Sequence, residues 1–368
     1  MLDSLERMEK IDKGNMRKLL LEFPLQCQEA VKLGESLAIP EKFLGGMTKV
    51  VVCGLGGSAI GGDILKTLLS EKLEIPIWVN RSYTLPRTVD KKTLIFIVSY
   101  SGNTEETLSA YNETIKRGIL AISICSGGKL RQLSEKNKIP CLTVPSGMPP
   151  RTTVGYLFIS MLKILERLRG IDEGDYEELF GVLSEIRDRF APKVPLSKNP
   201  AKSLSQELRG KIPLIYGVEG LTDVVAHRMK TQLNENSKVL AFWNVFPELN
   251  HNEIVPWGRE KEKADFRLKK AYPDFKQIYP SSKLFYLIFI RDKAEEKRIK
   301  KRIEVTQSII KEKTKYTEIW TQGENPLTRI LSAIYIGDWL SFYLAILQEI
   351  DPTPVKMIDL LKRELGKV

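Results

Sequence analysis

The sequence predicts an α/β protein made of two similar doubly wound α/β/α sandwich domains, each with a mainly parallel sheet. Three observations carry this expectation. Short apolar runs rich in β-branched residues alternate with segments of helical length, the signature of βαβ units whose sheet is covered on both faces. The alternation occurs twice, on either side of the proline-punctuated stretch "APKVPLSKNP" at 191–200. With 368 residues, 42% of them hydrophobic, the chain has enough apolar side chains for two cores of ordinary domain size.

The first seventeen residues are charged and contain no apolar run ending in small residues, so no secretory signal is read there and a cytoplasmic location is expected. "VVVCGL", "IPIWV", "TLIFIVSY", "GILAISIC" and "IPCLTV" then read as strands with helical segments between them. Past Pro149 the pattern turns helical, first in "TTVGYLFISMLKILERL" and then in an amphipathic segment at 175–190. These limits define an N-terminal domain at 1–170, a helical linker at 171–200 and a C-terminal domain at 201–368. In the second half "IPLIYGV", "KVLAFW" and "KLFYLIFI" read as strands, with helices near 220–235, 294–314 and 326–348.

The apolar stretch 330–347 nearly reaches membrane-spanning length, but it stands alone and carries Asp338 near its centre, so it reads as a buried interface helix and no membrane is expected. Four cysteines, Cys27, Cys53, Cys125 and Cys141, show no C-x-x-C spacing and read as reduced core residues rather than a zinc site or disulfide framework. The net charge of +11 is spread among interleaved acids, as in "RDKAEEKRIKKRIEVTQSIIKEKTK". That pattern fits solvated helix faces and a positive field for small anions; no nucleic-acid partner is expected.

The most informative stretch runs from the first strand into glycines: "GLGGSAIGG" at 54–62. Gly54, Gly56 and Ala59 satisfy the dinucleotide fingerprint G-x-G-x-x-A, and the same glycines equally serve tight strand-to-helix packing. The second strand, however, ends in Asn80 and Arg81 instead of the acid that holds a ribose, which leaves at most a phosphorylated nicotinamide cofactor. The third strand ends in "SYSGNTEET" at 99–107, whose hydroxyls at Ser99, Ser101 and Thr104 suit a phosphate monoester, although Ser101 or Asn103 with Glu106 would also cap a helix. With Gly56, Gly57 and Ser58 on the other turn, the two loops would bracket one small anion at the carboxyl ends of parallel strands.

"GLGGSAIGG" followed by "SYSGNTEET" resembles the sugar isomerase (SIS) domain. With "PPRTTVGYLF", "LNENSK", "ELNHNE" and "DPTPVKMIDLLKREL", nearly the whole chain resembles the bifunctional phosphoglucose/phosphomannose isomerases of archaea and bacteria. The resemblance implies reversible conversion of glucose and mannose 6-phosphates to fructose 6-phosphate through a cis-enediolate, with no cofactor and no metal, in a homodimer.

That chemistry requires a general base, a ring-opening acid/base and a partner for the oxyanion. By resemblance, Glu235 in "LNENSK" is the proton-shuttling carboxylate, with Glu248 and Glu253 as rivals. His251 in "ELNHNE" matches the ring-opening histidine given by the neighbouring subunit, and Arg151 in "PPRTT" the cation over the enediolate. Lys362 in "LLKREL" matches a lysine that assists ring opening, with Lys356 as its rival, and Thr353 in "DPTPV" is a candidate for dual specificity. The other histidine, His227, sits in a helical pattern and reads as packed. Zinc-dependent phosphomannose isomerases need several histidine and acidic ligands, which two distant histidines do not supply. A sugar-phosphate sensor without turnover, an isomerase of another sugar phosphate and an NADP-dependent oxidoreductase are the competing readings.

Overall fold

The computed structural model describes residues 2–171, 175–258 and 282–365. Helices α1 (Leu5–Ile11), α2 (Met16–Leu21) and α3 (Phe23–Ser36) precede the first strand. The chain then runs through β1 (Lys49–Cys53), α4 (Gly57–Leu69), β2 (Ile77–Asn80), β3 (Thr93–Val98), α5 (Glu105–Lys116), β4 (Leu120–Cys125), α6 (Gly128–Lys136) and β5 (Cys141–Thr143). All five expected runs are strands, and they pair in parallel in the order β2-β1-β3-β4-β5. Every residue of β3 is buried, as expected of a strand covered on both faces. On one face Val51, Ile95, Ile97 and Ala121 pack against Tyr111 of α5 and Leu130 of α6.

A turn at Pro150–Thr152 and a π-helical segment at Gly155–Ile159 lead into α7 (Ser160–Arg169) and α8 (Tyr176–Phe190). The Asp175 carboxylate caps α8 by accepting from the Glu178 amide at 2.9 Å. Asn199 closes the proline-rich stretch by accepting from the amides of Ala201 (3.1 Å) and Lys202 (3.2 Å), which starts α9 (Pro200–Leu208).

The second alternation comprises β6 (Ile212–Val218), α10 (Asp223–Glu235), β7 (Phe242–Phe246), α11 (Ile254–Trp257), β8 (Phe285–Arg291), α12 (Lys297–Ile310), β9 (Lys315–Trp320), α13 (Pro326–Leu347) and α14 (Lys356–Leu365). Its sheet is again parallel, in the order β7-β6-β8-β9. Two details differ from expectation. β9 lies outside the expected strands, because its residues are mostly half-exposed and polar at the sheet edge. β7 starts at Phe242, not near 238, because Lys238 takes a left-handed conformation and the Val239 amide still donates to Leu233 O of α10 (3.2 Å).

The chain forms two compact units. One, carrying the five-stranded sheet, comprises Asp12–Val194 and Gln322–Tyr335; the other, carrying the four-stranded sheet, comprises Met1–Ile11, Pro195–Thr321 and Ile336–Val368. Within the first unit α8 packs on α3. α13 is the one helix among the described residues long and apolar enough to cross a membrane, and that apolar window is wholly buried. Within the second unit its Asp338 accepts from Arg228 (2.7 Å) and Gln232 (2.9 Å), both on α10. Burial pushes the Asp338 carboxyl above the usual carboxylate range, opposed by those two donors.

Candidate active site

In the five-stranded sheet the order reverses between β1 and β3, the switch point at which doubly wound sheets bind ligands outside the carboxyl ends of their strands. The β1–α4 and β3–α5 turns both open there. Gly56 has φ 51° and ψ −124°, a backbone that L side chains avoid, so the sharp turn depends on glycine. Ser58 is buried in the first turn of α4, and its Oγ accepts from the Tyr100 amide at 3.2 Å, which leaves its own proton for an anion.

Across the gap, Ser99 Oγ and Thr104 Oγ1 lie 2.9 Å apart, and the Gly102 amide returns to Ser99 O at 2.9 Å. Ser101 is exposed and its Oγ accepts from the Asn103 amide at 3.2 Å. The N-cap of α5 is Thr104, and no side chain caps it; Asn103 Oδ1 instead accepts from the Lys129 amide at 3.0 Å. The structure therefore brings Gly56, Gly57, Ser58, Ser99, Ser101 and Thr104 to one switch point, with the amino ends of α4 and α5 adding a field that favours an anion by about 0.3–1 kcal/mol each. Asn80 donates to Ser82 O (3.3 Å) and Thr84 O (3.1 Å), and Arg81 pairs with Asp63, so both candidate nucleotide contacts serve the local fold.

Arg151 belongs to the same unit, buried in the turn after β5. A Cβ on Gly57 would meet Pro150 O at 2.8 Å and Arg151 Cα at 3.0 Å, so the arginine turn lies directly on the glycine loop. Gln26 of α3 braces it from the other side by donating to Thr152 O at 2.9 Å. Sequence reasoning missed Tyr100. Its amide holds Ser58, and its hydroxyl donates to Pro145 O (2.9 Å) and accepts from the Met148 amide (3.0 Å), so one residue, by backbone and side chain together, ties both loops to the segment leading to Arg151. A tyrosine inside an otherwise polar loop is the signal the sequence offers for it.

The other candidates lie in the second unit. Glu235, half-buried, ends α10; Gln232 before it bonds Asp338, and Asn236 and Ser237 after it bond Ser341 Oγ (2.9 Å) and Ser341 O (2.7 Å). Lys238 donates to Glu235 O (2.5 Å) and Pro352 O (3.0 Å), so Thr353 lies beside the Glu235 turn. Because α10 returns antiparallel to β6, this turn is at the amino edge of its sheet.

His251 lies at the opposite edge, exposed in the turn after β7. The five residues of β7 separate the two groups by about 16 Å of strand. The rival Glu253 bonds Tyr216 Oη (2.5 Å) and Asn244 Nδ2 (2.7 Å), and Glu248 accepts from Asn252 (2.7 Å), so both anchor the His251 turn. His227 stacks on Trp243 with centroids 4.8 Å apart, which fits a packing role. Lys362 and Lys356 are exposed on α14.

Residues 46–144 match the family model of the SIS domain, and residues 197–365 match that of the bacterial phospho-glucose isomerase C-terminal SIS domain. Among curated proteins, the chain is 43% identical over 348 residues to the bifunctional phosphoglucose/phosphomannose isomerase of Caldicellulosiruptor bescii, which covers 94% of this chain and 97% of that one. Identity to the protein of the same name from Aquifex aeolicus is 34%, over 86% of this chain and 90% of that one. Among solved structures, a hypothetical protein of Thermus thermophilus matches with a TM-score of 0.75 at 15% identity, over 98% of this chain and 93% of that one, a likeness of fold alone.

Proposed function

We propose a division of catalytic labour for this chain, which belongs to the bifunctional phosphoglucose/phosphomannose isomerases and interconverts glucose and mannose 6-phosphates with fructose 6-phosphate. The 6-phosphate is held by Ser58, Ser99, Ser101 and Thr104 with the backbone at Gly56 and Gly57. Glu235 removes the proton beside the carbonyl and returns it to the neighbouring carbon, a role worth about 10²–10⁴ in rate. Arg151, always charged, faces the oxygens of the cis-enediolate that forms between the two transfers. His251 opens the sugar ring from a second copy of the chain, and Lys362 assists that step. Glucose and mannose 6-phosphates share one enediolate, so tolerance of protonation on either face, to which Thr353 contributes, yields both.

The reading calls for a homodimer, for neither cofactor nor metal, and for the cytoplasm, where four free thiols are at home. The observation that carries it is the position of β7 between Glu235 and His251: a histidine at the far edge of the sheet from the carboxylate favours delivery from a second copy of the chain.

The test mixes two inactive variants, Glu235→Gln and His251→Asn, after dissociation and reassociation. A histidine acting across the interface gives each mixed dimer one intact site of two, and random pairing then restores about a quarter of wild-type activity. No recovery in dimers shown to have exchanged would overturn the crossed arrangement. Proton NMR of fructose 6-phosphate in D₂O with EDTA reads the chemistry: deuterium at carbon 2 of both aldose products is expected, and Glu235→Gln loses it.

A further inference from the structure

We propose that Cys125 and Cys141 are a peroxide-sensitive dithiol, which closes to a disulfide beneath the phosphate-binding turns and weakens their hold on the sugar phosphate. Cys125 ends β4 and Cys141 begins β5; the register pairs Ser123 with Cys141 and Cys125 with Thr143. Two residues apart on neighbouring parallel strands, the thiols share one face of the sheet, and both pack in the same core cluster. Their sulfurs are 3.7 Å apart. A disulfide needs about 2.05 Å, so the ends of β4 and β5 must draw together, and β5 is a three-residue edge strand, which resists that movement least.

The other two cysteines are different. Burial pushes the Cys27 thiol far up and that of Cys53 to about 12, which makes both inert. Cys125 is instead pulled down, first by the hydrogen bond from Cys141 and then by the Gly127 amide and the Arg131 charge, against its own burial and Glu135. Cys141, half-buried at the sheet edge, is pushed up by the same contact. Cys125 is itself buried and Cys141 reaches the sheet edge, so either sulfur of the pair can attack first and the other resolves.

One thiolate of the pair attacks one oxygen of hydrogen peroxide; the O–O bond breaks, a sulfenic acid forms, and hydroxide leaves to collect the thiol proton as water. The other sulfur then attacks the oxidised one, the S–O bond breaks, and the hydroxyl departs as a second water with the second thiol's proton. Two thiols are oxidised and one peroxide is reduced.

The segment after Cys125 lies against the phosphate turn. Ser126 donates to Tyr100 O from its amide (2.8 Å) and hydroxyl (2.7 Å), Leu130 N donates to Gly102 O at 2.9 Å, and a Cβ on Gly102 would collide with Gly127 O. Drawing Cys125 toward β5 therefore displaces the support of residues 99–104; this consequence, unlike the disulfide itself, rests on reading those residues as the phosphate site.

The test treats the full chain with hydrogen peroxide. Mass spectrometry should find a loss of two hydrogens and one linked peptide pair containing Cys125 and Cys141, reversed by dithiothreitol and absent in Cys141→Ser and Cys125→Ser. The KM for fructose 6-phosphate should rise severalfold on oxidation and return on reduction, while Cys141→Ser keeps its KM under peroxide. No linked pair in the wild-type chain overturns the site. A linked pair with unchanged KM, or an equal rise in Cys141→Ser, overturns the coupling. The cross-link is read without any turnover, so its failure is distinct from failure of the catalytic reading.

Discussion

Gly57 has no room for a side chain, since a methyl group there would lie 2.8 Å from Pro150 O. Gly57→Ala should push the arginine turn off the phosphate loop and lower kcat on the order of ten- to a hundredfold, because small displacements of a positioned group are costly in rate; steady-state kinetics with fructose 6-phosphate checks it. Tyr100→Phe leaves the Met148 amide without the hydroxyl that accepts from it. The variant should lose about 1–3 kcal/mol in urea unfolding, and kcat should fall more than KM changes, because Ser58 is held by the Tyr100 backbone and not by its ring.

Between elements, the orientation of Glu235 depends on how α10 is pinned to α13 within its unit. Arg228 and Gln232 on α10 both bind the buried Asp338, and the residues after Glu235 bind Ser341. Removing one partner of a buried pair strands the other, so Arg228→Met should cost about 3–5 kcal/mol in chemical denaturation. The double variant Arg228→Met with Asp338→Leu should recover part of that loss, because the apolar pair carries no desolvation cost while the buried Gln232 amide loses its acceptor. An equally unstable double variant would show that packing, not charge, dominates there.

For the molecule as a whole, the net charge of +11 should draw anionic sugar phosphates in, so kcat/KM should fall as ionic strength rises while kcat holds. Alkali gives a second test. Burial raises the Cys53 thiol from 9.0 to about 12, so folding favours its protonated form. That contribution is fully present below pH 9 and is lost as pH climbs through about 12. Cys53→Ala should flatten the alkaline limb of a stability-against-pH curve.

Local pattern sufficed for the doubly wound sheets, the two hydroxyl- and glycine-rich turns and the buried helix around Asp338, because parallel strands buried on both faces are continuous apolar runs and tight turns demand glycine. It did not suffice where partners distant in sequence decide. β9, "KYTEIW", is a strand because β8 offers its edge, and β7 begins only where the ladder with β6 begins, at Phe242 opposite Leu214. Likewise the contact of Gly57 with Arg151, the several bonds of Tyr100, the Lys238 link between Glu235 and Pro352, and the 3.7 Å between Cys125 and Cys141 join residues whose proximity no spacing encodes. Residue types and turns follow from short-range sterics and periodicity; which side chains meet is set by the packing of whole elements, and that exists only once the chain has folded.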